Sequence, residues 1–239
     1  KKTNLSPNYS KKSRLKSKIK FVIFHYTGMQ SEIESIKRLK NPNSKVSCHF
    51  LINLKGEIIQ MVKENKVAWH AGKSKWKKYT NLNDYSIGVE LVNKGHRFGY
   101  RSFPTRQIKS LISLCKTLKS NYKIRTENFL GHSDIAPLRK IDPGEKFPWS
   151  YLAKKKIGIW HKIKEEKLLK FRSRKISNIE IITFIKYLSK IGYLTKNLKN
   201  NQKTKLFKSF QRRFRQKLIN GKIDKECLII AEKMSKLSK

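Results

Sequence analysis

Two short apolar runs constrain this chain more than any other feature. Residues 20–28 read KFVIFHYTG and residues 85–93 read YSIGVELVN. Both have the length and apolar character of strands buried within a sheet, and the first ends at a glycine that suits a turn. Each also sets a histidine or a carboxylate among its apolar residues. His25 closes the first run. Glu90 lies inside the second, where Ile87, Val89 and Leu91 point to one face and Gly88 and Glu90 to the other. A carboxylate in mid-strand is costly unless something compensates it. The face bearing Glu90 is therefore expected to open onto a polar site, with Gly88 leaving space beside the carboxylate. An ion pair with one of the many lysines is the competing reading.

The segments around these runs alternate in period. Ile33, Ile36 and Leu39 repeat at helical spacing over residues 31–40, and Pro42 stops that helix. SCHFLIN and EIIQMV flank Lys55-Gly56 as a hairpin. WHAGKSKWKKYTNLND reads as a polar loop with aromatic residues. Thr105 is placed as the N-cap of an amphipathic helix carrying Ile108, Leu111, Ile112, Cys115 and Leu118. NFLGH is a short strand. Strands alternating with helices indicate an α/β domain ending near Trp149.

The flanks differ in character. Residues 1–20 are basic and polar and read as a loose arm; residues 151–175 read as a charged linker. Beyond them, Ser177 and Glu180 form a capping box. Ile182, Ile185, Leu188 and Ile191 follow on one helix face, closed by Gly192. A second helix carries Leu206, Phe207, Phe210, Phe214 and Leu218. After the NGKID turn, Asp224 caps a third helix with Cys227, Leu228 and Ala231 inward. Three short helices make a small bundle.

The formal net charge is +41, from 57 basic and 16 acidic residues. That balance points to nucleic acid, an anionic envelope polymer or a membrane surface as partner, or to an AT-rich genome that favours Lys, Asn and Ile. The lysines spread over both regions, which argues against a specific nucleic-acid interface. Cys48, Cys115 and Cys227 are distant and odd in number, so they form no disulfide framework or metal pair and read as buried small hydrophobes. No apolar run has the length of a membrane span. The chain begins at Lys1 rather than Met, which leaves room for a removed secretion signal.

Residues 131–149, GHSDIAPLRKIDPGEKFPW, are too irregular for a strand or helix. His132 and Asp142 stand ten residues apart with Lys140 between them. Imidazole nitrogen and carboxylate oxygen are zinc ligands, and a catalytic zinc takes three protein ligands plus water. On spacing alone two readings remain open: an ion site with His25, or a structural histidine beside an ordinary Asp-Pro turn.

Five segments in one order, FVIFHYTG, VSCHFLI, VAWHAGKSKW, NLNDYSIGVELVN and GHSDIAPLRKIDPGEKFPW, together resemble the zinc-dependent N-acetylmuramoyl-L-alanine amidases of the type 2 amidase family. The AmiD branch, related to AmpD, is the most similar. The resemblance spans residues 20–160 and implies a mixed central β-sheet flanked by helices, as in peptidoglycan recognition proteins. The tail FKSFQRRFRQKLINGKID resembles the three-helix peptidoglycan-binding module of the same branch. The implied division is a basic arm (1–19), a zinc amidase domain (20–160), a basic linker (161–176) and a helical domain (177–239).

Carried over by motif, the resemblance makes His25, His132 and Asp142 the ligands of a Zn2+ ion. Glu90 becomes the general base and Lys140 the residue that stabilises the transition state. Trp69, His70 and Ala71 line the substrate groove, with a packing role for His70 as the alternative. His49 reads as structural, His96 and His161 as surface residues, and Asn53 and Asp84 as polar bystanders. The implied partner is peptidoglycan or its muropeptide fragments, met by a monomer in the periplasm or cell envelope; a cytoplasmic recycling enzyme is the alternative setting. A non-catalytic recognition protein and a basic nucleic-acid-binding protein are the competing functions.

Overall fold

The computed structural model describes residues 2–238. In chain order the strands are β1 (Lys2–Thr3), β2 (Tyr9–Ser10), β3 (Phe21–Tyr26), β4 (Phe50–Ile52), β5 (Ile58–Gln60), β6 (Val67–Ala68), β7 (Lys75–Trp76), β8 (Tyr79–Thr80), β9 (Ser86–Leu91) and β10 (Phe129–Gly131). The helices are α1 (Glu32–Lys40), α2 (Thr105–Tyr122), α3 (His132–Ile135), α4 (Trp149–Lys154), α5 (Glu165–Leu169), α6 (Asn178–Ile191), α7 (Asn200–Phe214) and α8 (Lys225–Leu237). Six strands make one mixed sheet in the order β1-β5-β4-β9-β3-β10. Its centre, β4, β9, β3 and β10, is parallel, and β5 returns antiparallel to β4 as the expected hairpin. Asn53 is no bystander there: its Oδ1 accepts the N–H of Lys55 and of Glu57 and so fixes the turn.

The register of β3 on β9 sorts side chains by face. Val22 pairs with Ile87 and Phe24 with Val89, and this face packs beneath Ile108, Leu111, Cys115 and Leu118 of α2. Each large aliphatic or aromatic side chain buried there contributes roughly 1.5–3 kcal/mol. The opposite face carries Ile23 beside Gly88 and, at the carboxyl end of the strands, His25 beside Glu90. One face of the sheet is thus a continuous core and the other ends in ionisable groups. All three cysteines are buried and free, as expected.

Several expectations change. The basic arm is folded onto the sheet: β1 pairs with β5, β2 pairs with β6, and buried Arg14 donates to the carbonyls of Glu64 and Asn83. Backbone pairing needs no apolar pattern, so composition misled here. The cap residue of α2 is Pro104 rather than Thr105, which is the first helical residue. The charged linker contains α4 and α5 and buries Ile157 and Leu168. His161 is buried, not on the surface; its Nδ1 accepts the Ile163 N–H, and burial lowers its pKa to about 4.

The helical tail shows the Ser177–Glu180 capping box and the Asp224 cap. In α6, however, Phe184, Leu188 and Ile191 face inward, while Ile182 is 54% exposed. Helix α7 ends at Phe214, leaving Leu218 beyond it. Nor does the tail stand apart. Leu188, Ile191, Tyr193, Phe210 and Phe214 share one core with Phe21, Ile23, Trp76, Leu130 and Ile135 of the α/β region. Tyr193 packs edge-on against Trp76 with ring centroids 4.9 Å apart. A Cβ at Gly192 would come within 2.5 Å of that indole. No helix is long and apolar enough to cross a membrane among the described residues.

Candidate active site

Parallel pairing brings distant residues to one edge. Gly131 at the end of β10 lies opposite Phe24 of β3, so the next residues, His132 and His25, emerge side by side. Asp142 returns to them through a loop pinned by Ser133 N–H to the Asp142 carbonyl at 2.8 Å and by Lys140 N–H to the Ala136 carbonyl at 3.1 Å. The Asp142-Pro143 peptide is cis. The Pro143 ring lies against Gly131, where a Cβ would approach it to 2.7 Å. The quoted loop is therefore held by a short helix, two backbone bonds and close packing of Pro143 on Gly131.

His25 Nδ1 and His132 Nδ1 are 2.9 Å apart, and Asp142 Oδ2 is 3.0 Å from each. All three residues are buried. His132 Nε2 faces the Ala71 carbonyl at 3.1 Å, an atom that can only accept, so this nitrogen carries a proton. Burial, reinforced by His132, lowers the His25 pKa to about 4, so its imidazole is neutral at physiological pH. Two imidazole nitrogens and a carboxylate oxygen thus face one another, and each can offer a lone pair to a metal ion. The donor set of two nitrogens and one oxygen suits zinc, for which ligand atoms in a tetrahedron with bonds of ~2.0–2.1 Å stand about 3.3 Å apart. The observed triangle is close to that size and can hold a metal ion.

Glu90 lies beside the triangle. Its Oε2 is buried with no hydrogen-bond partner. Burial, then the nearby Asp142 charge, raises its pKa to about 8, against the pull of Lys140. A buried carboxyl that lines the cleft, with its pKa raised toward neutrality, can take up and release a proton. Lys140 is half-buried and lines the same cleft, of about 500 Å³, with His25, His132, Asp142 and Glu90. The five residues singled out from the sequence for metal binding and catalysis thus meet in one place.

The three groove residues divide. Trp69 is half-buried and lines the cleft. His70 also borders it, but both its nitrogens are engaged, with His25 Nε2 at 3.1 Å and Ser86 Oγ at 3.2 Å. Burial, with the neighbouring His25, pushes its pKa well below the imidazole range. Ala71 is fully buried and its methyl does not reach the cleft; its carbonyl instead receives His132 Nε2–H. The substrate contact expected of Ala71 is thereby replaced by a backbone role that side-chain identity cannot reveal. The space beside Gly88 is likewise not left for Glu90: the His70 ring fills it.

Three supporting residues were not foreseen. Asn83 Oδ1 accepts the N–H of both His70 and Ala71, fixing that turn. Arg139 donates to the carbonyls of Ala71 and Lys73. Ser86 closes the far side of His70. In a chain with so many Ser, Asn and Arg, no spacing signal marks them out. His49 is structural, as expected: its Nδ1 accepts the Gly88 N–H at 2.9 Å. His96 is exposed and links Tyr26 to Glu145 at the rim of the cleft.

Comparison with known proteins identifies the family. The Amidase_2 family model, described as N-acetylmuramoyl-L-alanine amidase, matches residues 15–145. N-acetylmuramoyl-L-alanine amidase AmiD of Escherichia coli is 35% identical over 228 residues, covering 90% of this chain and 82% of AmiD. The solved complex of E. coli AmiD with the substrate anhydro-N-acetylmuramic acid-L-Ala-D-gamma-Glu-L-Lys superposes with a TM-score of 0.81 at 32% identity, covering 95% of this chain and 92% of that one. AmpDh3 of Pseudomonas aeruginosa gives a TM-score of 0.81 at 28% identity, over 97% and 96% of the two chains. Fold and sequence therefore agree with AmiD over nearly the whole length of the chain. This chain belongs to the Amidase_2 family and is an N-acetylmuramoyl-L-alanine amidase.

Proposed function

We propose that this amidase uses zinc, held by His25, His132 and Asp142, to cut the amide between N-acetylmuramic acid, or its 1,6-anhydro form, and L-alanine of the peptidoglycan stem peptide. One observation carries the reading: three buried lone-pair donors converge beside a carboxylate oxygen that has no partner. Held by these three residues, zinc would supply Lewis acidity and would acidify water toward a pKa of ~7. Glu90 takes the proton of the attacking water as its oxygen bonds to the carbonyl carbon. The Lys140 charge pulls the Glu90 pKa down against the larger upward push of burial, and a bound cation would pull it down further toward the ionised form. The Lys140 ammonium faces the negative charge that develops on the carbonyl oxygen. Glu90 then delivers its proton to the alanine nitrogen as the C–N bond breaks, leaving a lactyl carboxylate and a free stem peptide.

Under the same reading the protein acts in the envelope, on the wall or on fragments released from it. The basic surface, including the helices α6 to α8, favours association with the free carboxylates of stem peptides, an attraction that salt weakens. The test is Glu90→Gln, assayed on defined muropeptides with mass analysis of products. Zinc content is expected to stay at the wild-type level while turnover falls about 10²–10⁴-fold. Near wild-type turnover in that variant would remove Glu90 from the reaction.

A further inference from the structure

His70 stands behind the metal-binding triangle rather than in it. The Ser86 hydroxyl has one proton, and the Leu82 carbonyl 2.5 Å away takes it. Toward His70, at 3.2 Å, Ser86 Oγ can then only accept, which puts the imidazole proton on His70 Nε2. His70 Nδ1 is left as a bare acceptor 3.1 Å from His25 Nε2, so His25 must donate from that nitrogen. His25 Nδ1 consequently keeps its lone pair, directed at His132 Nδ1 and Asp142 Oδ2. A fixed backbone carbonyl at one end of this chain determines which nitrogen is bare at the other. Ser86 and His25 are 0% and 1% exposed, so water has little access to rewrite the pattern.

Gly88 belongs to the same arrangement. A Cβ there would lie 2.4 Å from His70 Cγ, too close for any side chain, so only glycine at this position of β9 admits the ring. The His49 imidazole holds the Gly88 N–H and meets His70 edge-on with centroids 5.7 Å apart, fixing the strand and the ring together. With both nitrogens committed, His70 has no polar atom left for substrate.

We propose that His70 is a positioning residue, which with Ser86 and the Leu82 carbonyl locks His25 into the Nε2–H tautomer and so frees Nδ1 for the metal. This rests on the proposed ligand role of His25. Metal ligands that donate their second ring N–H gain orientation and basicity, and loss of the partner costs about 10–100-fold in metal affinity.

Two measurements test the proposal on the full chain. In metal-free protein labelled with 15N-histidine, long-range proton–nitrogen spectra are expected to show both His25 and His70 protonated on Nε2. A His25 protonated on Nδ1 overturns the proposal. Zinc affinity, read by competition with a chromophoric chelator, is expected to fall about 10–100-fold in His70→Leu. His70→Asn, which keeps an acceptor near the Nδ1 position, is expected to recover most of that loss. Gly88→Ala should lose affinity as His70→Leu does, although every ligand is present. Ser86→Ala, which disturbs packing least, should give mixed His70 tautomers and a smaller loss. Equal affinity in wild type and His70→Leu sinks the role of His70 alone. Absence of zinc binding by the wild-type protein sinks the ligand reading beneath it, and the two failures are told apart by the wild-type titration.

Discussion

Asp134 and Asp142 lie eight residues apart in the same segment, and both carboxylates are buried. Their surroundings are opposite. Asp134 is ringed by donors: Gly131 N–H at 2.7 Å, Tyr193 hydroxyl at 2.7 Å and the Arg213 guanidinium at 3.2 Å. Asp142 Oδ2 instead meets two imidazole nitrogens, His25 Nδ1 and His132 Nδ1, each at 3.0 Å. One carboxylate is satisfied by three donors from the protein; the other has the two imidazoles, with which it can hold a metal ion. A buried acid with three donors welds two parts of the chain together. A buried acid between two imidazoles offers a place for a cation. Sequence shows two aspartates in one loop, and only the neighbours supplied by distant strands and helices separate their roles.

The largest effect should come from the imidazole-facing member. Asp142→Ala is expected to lower zinc affinity by more than about 100-fold and turnover by about 10⁴-fold or more, since the ion carries both the activation of water and the polarisation of the carbonyl. Zinc content after dialysis and muropeptide turnover check this. Chelation of the wild-type protein should reproduce the loss, and added zinc should reverse it. Unchanged zinc content in Asp142→Ala would erase the contrast between the two acids.

Next in size is the partner of the satisfied member. Arg213 is 2% exposed; it reaches Asp134 and the Phe129 carbonyl, and its guanidinium lies 3.2 Å from the Trp149 ring centroid. Arg213→Ala strands a buried carboxylate, which typically costs about 3–5 kcal/mol. Urea denaturation should show that loss. If stability instead stays within about 1 kcal/mol of wild type, Asp134 is not a welded ion pair and the helical tail is held by its apolar core alone.

How much of this was legible follows from which interactions are local. The strands carrying His25 and Glu90, the hairpin at Lys55-Gly56 and the Ser177–Glu180 box are encoded within a few residues of each other, and each was readable. The five residues that meet in the cleft were readable because five motifs occur in one order. Asp134, Arg213 and Tyr193 were not, because a buried ion pair spanning 79 residues has no local pattern. The role of Gly88 depends on a ring from another segment filling the position a Cβ would take. Ala71 matters through its carbonyl, which every residue has. The arm was misread for the opposite reason: its lysines from Lys2 onward are exposed while its backbone pairs, and composition reports only the lysines.

The smallest predicted effect is the sharpest test of the comparison. Tyr193→Phe removes one of three donors from Asp134 and leaves the ring packed on Trp76. A single hydrogen bond to a charged group is worth about 1.5–3 kcal/mol, and two donors remain, so the loss in stability should sit near the lower end. Asp134 is also the third residue of α3, the helix that begins with His132. If the two acids are independent, as their opposite surroundings imply, zinc affinity in Tyr193→Phe stays at the wild-type value while the urea midpoint falls. If zinc affinity falls with stability, α3 transmits the state of one carboxylate to the ligand beside the other. The helical tail would then tune the metal site instead of only bracing it. A double-mutant cycle of Tyr193→Phe with Asp142→Asn, read in zinc affinity and in stability, separates the two cases. Additivity in both readouts keeps the acids distinct, and a coupling above about 0.5 kcal/mol joins them.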